Sequence, residues 1–209
     1  TNQMKRILIV GAGGQIGSEL TVYLRSIYGG HNVVATDMRE CKALGEDGPF
    51  EVLNALDATA MASVVARHHV DTIFNLVALL SAVGERNPQM AWQVNMGALN
   101  NSLEVARQHH CALFTPSSIG AFGPTSPKDK TPQDTIMQPT TIYGVCKVTG
   151  ELLSNYYHHK FGVDTRSVRF PGIISNVTLP GGGTTDYAVE IYYEAIRSGR
   201  FTCPVPSDV

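Results

Sequence analysis

The chain has 209 residues, 43% of them hydrophobic and 16% charged, a balance that suits a soluble globular protein with one well-cored domain and the beginning of another. A formal net charge of −2 without any Lys/Arg block excludes the electrostatic footprint of a nucleic-acid binder or of a protein drawn to an anionic membrane surface. The four cysteines, Cys41, Cys111, Cys146 and Cys203, stand far apart with no C-x-x-C pair, which reads as reduced thiols and no structural zinc.

Thr1 to Arg6 leads at once into a strand-like run, and no apolar stretch reaches membrane-spanning length, so neither a signal peptide nor a membrane helix is expected. A cytoplasmic setting fits, as does a mitochondrial matrix reached after removal of a leader. In chain order, strands are expected at Arg6–Val10, Asn32–Thr36, Phe50–Leu53, Thr72–Leu76, Ala112–Thr115 and Thr165–Arg169. Helical periodicity falls between them, at Gln15–Tyr28, Ala58–His68, Pro88–His109 and Thr141–Phe161. In the third of these, Trp92, Met96, Leu99, Leu103 and Ala106 form a stripe expected to face the core. Strands that alternate with helices and are too continuously apolar for a wet face predict an α/β fold, a doubly wound Rossmann-type parallel sheet with helices on both faces. Residues 1–170 would form that unit. Residues 171–209 change character, first rich in Gly, Pro and Thr and then helical over Tyr187–Arg197; they are expected to begin a small C-terminal substrate lobe.

Gly11, Gly14 and Gly17 follow the first strand at G-x-x-G-x-x-G spacing and open the first helix with Gln15 and Ile16. Glycine there allows a tight turn and close approach of backbone N–H groups to a pyrophosphate, which rests on the positive end of the helix dipole. Asp37 ends the second strand, where a carboxylate accepts from the adenosine ribose hydroxyls and repels a 2′-phosphate; NAD is therefore expected over NADP. Asp57, after the third strand, has two readings, a cofactor contact or a cap for the Ala58–His68 helix. Further along, Tyr143 and Lys147 stand four apart at the start of a helix and so share a face. An ammonium beside a phenol stabilises phenolate, which a general base acting on an alcohol requires. The loop Pro116-Ser117-Ser118-Ile119-Gly120-Ala121-Phe122-Gly123 brings hydroxyls to the carboxyl end of the fifth strand, the edge where open α/β sheets bind ligands.

The ordered set of the glycine turn, Asp37, Asn75-Leu76-Val77-Ala78, Ser117-Ser118 with Phe122-Gly123, and Y-x-x-x-K resembles the extended short-chain dehydrogenase/reductases over nearly the whole chain. That resemblance implies Tyr143 as acid/base, Lys147 holding the nicotinamide ribose, and a serine on the reacting oxygen, either Ser118 by its distance from Gly123 or the adjacent Ser117. It also implies cofactor contacts from Leu76, Ala78, Asn95 and Pro171, although Asn95 can equally be a polar residue on an exposed helix face. Pro116–Gly123 and Gly182-Gly183-Thr184-Thr185-Asp186-Tyr187-Ala188 are similar to the short-chain type of L-threonine 3-dehydrogenases. This implies L-threonine as substrate, held by Ser81, Ser117, Tyr143, Thr184 and Asp186, and a homodimer built on a helix bundle that includes Thr141–Phe161.

Two other readings of the shared parts stay open, a nucleotide-sugar epimerase or dehydratase and an NAD-binding protein without catalysis. Thr184, Thr185 and Asp186 also fit a cap for the helix that follows them. The resemblance expects the chain to continue past Val209. The pairs His68-His69, His109-His110 and His158-His159 fall at helix ends, where imidazolium complements the dipole, so no metal site is read from them.

Overall fold

The computed structural model describes residues 5–175, 177–179, 181 and 185–205. Its first five strands are β1 (Ile7–Val10), β2 (Val33–Asp37), β3 (Phe50–Val52), β4 (Thr72–Asn75) and β5 (Ala112–Phe114), followed by the short β6 (Ser117–Ser118), β7 (Thr165–Arg166) and β8 (Arg169–Phe170). The helices are α1 (Gln15–Tyr28), α2 (Lys42–Glu46), α3 (Ala58–Arg67), α4 (Ser81–Arg86), α5 (Pro88–His109), α6 (Ile142–Phe161) and α7 (Tyr187–Ser198). A six-stranded sheet runs in the order β3-β2-β1-β4-β5-β7, parallel throughout. The expected doubly wound α/β fold is what the chain adopts.

Alternation along β1 shows why both faces must be covered. Ile7 and Ile9 point into a cluster with Val33, Ala35, Leu24 of α1 and Leu44 of α2. Leu8 and Val10 point the other way, into a larger cluster with Val34, Ile73, Leu113, Met61 and Val65 of α3, and Leu99 and Leu103 of α5. Each long helix begins and ends on a local signal. Asn87 Oδ1 accepts from Met90 N at 3.1 Å, Pro88 is the first residue of α5, and His110 leaves it in the left-handed region. Thr141 Oγ1 accepts from Gly144 N at 3.1 Å to open α6, and left-handed Gly162 closes it.

Two expectations need correction. The run Thr165–Arg169 is two strands, because the chain changes sheets within it: β7 continues the main sheet beside β5, whereas β8 pairs with β6. The stripe on α5 loses one member: Leu99, Leu103 and Ala106 are buried as expected and Met96 packs against the same cluster, but Trp92 does not. Trp92 is 42% exposed, and the inner face carries Ala91, Asn95, Ala98, Leu99, Ser102, Leu103 and Ala106. The two polar members are internally satisfied, Ser102 Oγ donating to Ala98 O at 2.8 Å and Asn95 binding the backbone of Leu79. Helices α2 and α4 and the small β6-β8 pair are short elements that periodicity did not reveal.

After β8 the chain returns across α1. Gln15 Nε2 donates to Ile173 O at 3.2 Å, the Ser18 and Thr178 hydroxyls lie 2.9 Å apart, and Ser175 Oγ donates to Glu19 Oε1 at 2.6 Å.

Candidate active site

β1 is flanked by β2 on one side and β4 on the other, so the crossover connections leave in opposite directions and open a crevice at the carboxyl ends of these strands. Gly11 turns the chain there at φ 87°, in the region that favours glycine. Gly11 N and Ala12 N both donate to Thr36 O at 2.9 Å, locking the turn to β2. Gly14 then precedes α1, and a Cβ on Gly17 would stand 2.3 Å from Gly11 O, so helix and turn meet at a distance only glycine permits. Asp37 Oδ2 accepts from Gly13 N at 2.9 Å, which brings the acidic strand end against the glycine turn. The first-turn N–H groups of a helix lack intrahelical acceptors, and this cradle fits a dinucleotide's pyrophosphate with Asp37 at its ribose end.

A cleft of about 460 Å³ runs from Gln15 and Ile16 past Asn75–Ala78 to Ser117–Gly120, Tyr143, Lys147 and Phe170–Ile173. Leu76, Ala78 and Pro171 line it, and so do Ser81 and Asp186, together with Thr185, which the sequence offered only as a helix cap. Thr184 lies outside the described residues. Asp57 is exposed and its Oδ1 accepts from Ala60 N at 2.9 Å, so it caps α3. Asn95 is 9% exposed. It accepts from Leu79 N at 2.7 Å and donates to Leu79 O at 3.2 Å, clamping the wall after β4 from behind.

At the cleft floor Tyr143 and Lys147 occupy successive turns of α6, with Lys147 Nζ 5.2 Å from the phenol ring centroid and donating to Pro116 O at 2.7 Å. Burial pushes the Lys147 ammonium down to about 8. Burial also raises the Tyr143 phenol above its ordinary value, against the lowering exerted by its hydrogen bond with Ser118. The sequence led us to expect a phenol lowered by lysine; here desolvation outweighs every stabilising contact, and the one contact that opposes it comes from Ser118. The two serines differ sharply. Ser118 Oγ faces Tyr143 and accepts from Gly120 N at 3.0 Å, whereas Ser117 Oγ is turned away and donates to Glu151.

Sequence reasoning missed three residues that shape this floor. Glu85 Oε1 accepts from Ile142 N at 2.7 Å and so braces the start of α6, while Glu151 and Arg169 form a partly buried pair beside Ser117. Glu151 was open to detection, since it extends the Tyr143, Lys147 spacing by one more turn. Among the described residues no three His, Cys, Asp or Glu gather where they could hold a metal, and no helix is long and apolar enough to cross a membrane.

The model of the NAD dependent epimerase/dehydratase family matches residues 7–207. The chain belongs to that family. NAD is accordingly the cofactor, and the glycine cradle with Asp37 fits it. An uncharacterized epimerase/dehydratase of Staphylococcus haemolyticus is 58% identical over 98% of the chain, which spans 65% of that relative. Among solved structures of family type, L-threonine dehydrogenase from Clostridium difficile is 56% identical with a TM-score of 0.91, covering 97% of this chain and 64% of its own. The holo form of L-threonine dehydrogenase from Cupriavidus necator is 50% identical with a TM-score of 0.92, covering 96% and 65%. The chain thus spans just under two thirds of the length of the relatives it matches.

Proposed function

We propose that the chain carries the NAD-binding and catalytic part of an L-threonine 3-dehydrogenase, which oxidises L-threonine to 2-amino-3-oxobutyrate. The observation that carries this reading is the convergence of Ser118, Tyr143 and Lys147 with Ser81, Thr185 and Asp186 on one cleft, in a chain 56% identical to a threonine dehydrogenase. Tyr143 Oη takes the β-hydroxyl proton, and Ser118 holds the same oxygen by a hydrogen bond. The hydrogen bond between Ser118 and Tyr143 is the contact that lowers the phenol against its burial and so favours the phenolate that this transfer needs. Asp186 supplies a carboxylate for the substrate ammonium, and Ser81 and Thr184 supply donors for its carboxylate. NAD, when bound along Gln15, Ile16, Leu76, Ala78 and Pro171, supplies the hydride acceptor and the positive charge of its nicotinamide ring. Lys147 also suits the nicotinamide ribose hydroxyls.

A homodimer belongs to the same proposal: Leu152, Tyr156 and Phe161 leave an apolar strip exposed on α6. Light scattering after size exclusion checks it, and a monomer at micromolar concentration refutes it. The activity test is NADH absorbance with NAD and a panel of threonine, serine, 3-hydroxybutyrate and UDP-sugars. NADH formation with threonine, abolished by Tyr143→Phe, is expected. Reaction with UDP-sugars alone would replace threonine by a nucleotide sugar, and undiminished turnover in the variant would remove Tyr143 from the mechanism.

A further inference from the structure

Glu151 lies one helical turn past Lys147 and two past Tyr143 on α6, and the chemistry above does not use it. Its side chain is 15% exposed and that of its partner Arg169 is 16% exposed. Arg169 Nε donates to Oε1 at 2.9 Å and Nη2 to Oε2 at 2.8 Å, a bidentate fork, and the Ser117 hydroxyl donates to Oε1 as well. The remaining guanidinium nitrogen donates to Gln133 O at 2.9 Å, and the guanidinium carbon lies 5.4 Å from the Phe122 ring centroid. Burial alone would raise the Glu151 carboxyl, but the hydrogen bonds from Arg169 and Ser117 outweigh it and hold the group below the usual carboxylate range.

A partly buried ion pair is weak evidence of a role in stability, because its attraction is offset by desolvation and well-packed apolar residues of similar volume can serve as well. Its placement has a more specific reading. Pro116 O receives the Lys147 ammonium, Ser117 Oγ is held by Glu151, and Ser118 Oγ meets the Tyr143 phenol. Three consecutive residues are each pinned to the same helix, and the strand neighbour of the middle one is Arg169 itself. β6 is only two residues long, so its pairing with β8 specifies its register weakly. A small pocket of about 30 Å³ lined by Asn95, Ser117, Lys147 and Glu151 lies beside it.

We infer that the Glu151–Arg169 pair is a positioning device: by fixing Ser117 it sets residues 116–118 in the register that presents the Ser118 hydroxyl to Tyr143 and the Pro116 carbonyl to Lys147. The catalytic half of this statement rests on the proposed hydride-transfer chemistry.

The test uses Glu151→Gln, Ser117→Ala and the double variant in the full chain; Ser117→Ala leaves the ion pair whole, so it remains informative if Glu151→Gln folds poorly. Hydrogen–deuterium exchange should rise roughly tenfold in peptides covering 115–122 while β1, β2 and β4 keep wild-type protection. NADH affinity by fluorescence should stay within about twofold, and kcat should fall by about 10- to 100-fold with KM little changed, as expected for a misplaced catalytic group. The double variant should be no worse than the more impaired single one, because both act through one contact. Unchanged exchange at 115–122, acceleration spread evenly over the sheet, or single effects that multiply would each overturn the inference. The exchange measurement needs no substrate, so a wild-type chain inert toward threonine would count against the substrate reading while local exchange still decided the positioning role.

Discussion

Replacing Gly17 with alanine tests whether α1 must sit as close to the glycine turn as it does. The added Cβ would lie 2.3 Å from Gly11 O, 2.7 Å from Ala12 Cα and 2.9 Å from Ala12 C, and none of these backbone atoms can rotate aside. Ordinary contact begins at 3.4 Å, so helix and turn must part by about 1 Å. Alanine is favoured over glycine within a helix by about 1 kcal/mol, whereas overpacking of this kind costs about 1–3 kcal/mol, leaving a net loss of roughly 0–2 kcal/mol. The displacement also spreads the N–H groups that form the anion cradle, and NADH affinity should fall at least about tenfold, equivalent to ~1.4 kcal/mol. Gly14→Ala is the matched control. Its Cβ would meet Gly11 O at 3.4 Å in a backbone conformation open to any residue, so it should lose less than about 1 kcal/mol. Urea unfolding midpoints and NADH fluorescence titrations of the two variants separate the cases. A Gly17→Ala protein with wild-type midpoint and affinity would refute the steric argument.

Arg25→Leu should cost about 2–3 kcal/mol in urea denaturation, because this buried guanidinium donates to Val33 O, Leu44 O and Pro49 O and its removal takes a donor from each, with Pro49 O keeping the Ala35 N–H that the sheet supplies; a loss below about 1 kcal/mol would contradict that assignment. Lys147, pushed down to about 8 in the fold from 10.5, binds fewer protons there than in the unfolded chain between those two values, so unfolding free energy should rise with pH across that window, on the order of 3 kcal/mol in full. Lys147→Met should flatten that rise in denaturation curves taken from pH 7 to 10.5, and a persisting slope would assign it to another group. Asp37→Ala removes both the acceptor for Gly13 N and the charge facing a 2′-phosphate. It should shift the NADPH-to-NADH affinity ratio at least about tenfold toward NADPH, and an unmoved ratio would place the discrimination elsewhere.

The parts of the fold that were legible in the sequence are those where one signal dominates. Gln15–Tyr28 and Pro88–His109 are bounded by glycine or by Asn-Pro and a left-handed cap, and both helices have the residues expected of them. On α5 only Trp92 departs from expectation, because a helix pressed against a sheet favours small residues on its inner face. Ala91 and Ala98 lie inside with Asn95 and Ser102, small positions that a search for large apolar side chains passes over in favour of Trp92. Elements of two to six residues such as α4 and β6 carry too few positions for any period to register. Within the site, Ser118, Tyr143, Lys147, Leu76 and Ala78 line one cleft while Asp57 caps α3 and Asn95 stands behind the wall, and motif logic says nothing of orientation. Only tertiary contacts separate Ser118, turned to the phenol, from Ser117, turned to Glu151. The raised Tyr143 phenol likewise depends on burial, which a four-residue spacing does not encode.

The hydrogen bonds that tie Gln15, Ser18 and Glu19 to Ile173, Thr178 and Ser175 join residues more than 150 positions apart. During synthesis β1, the glycine turn and β2 emerge well before the rest of the crevice, since their pairing spans only the α1 crossover. The opposite side of the crevice arrives only after every strand of the main sheet has been made. A coenzyme meeting the nascent chain finds an anion cradle with no facing wall, so firm retention becomes a property of the late-stage chain. Once seated, the dinucleotide bridges the earliest and the latest segments to fold, and it should slow unfolding far more than it speeds folding.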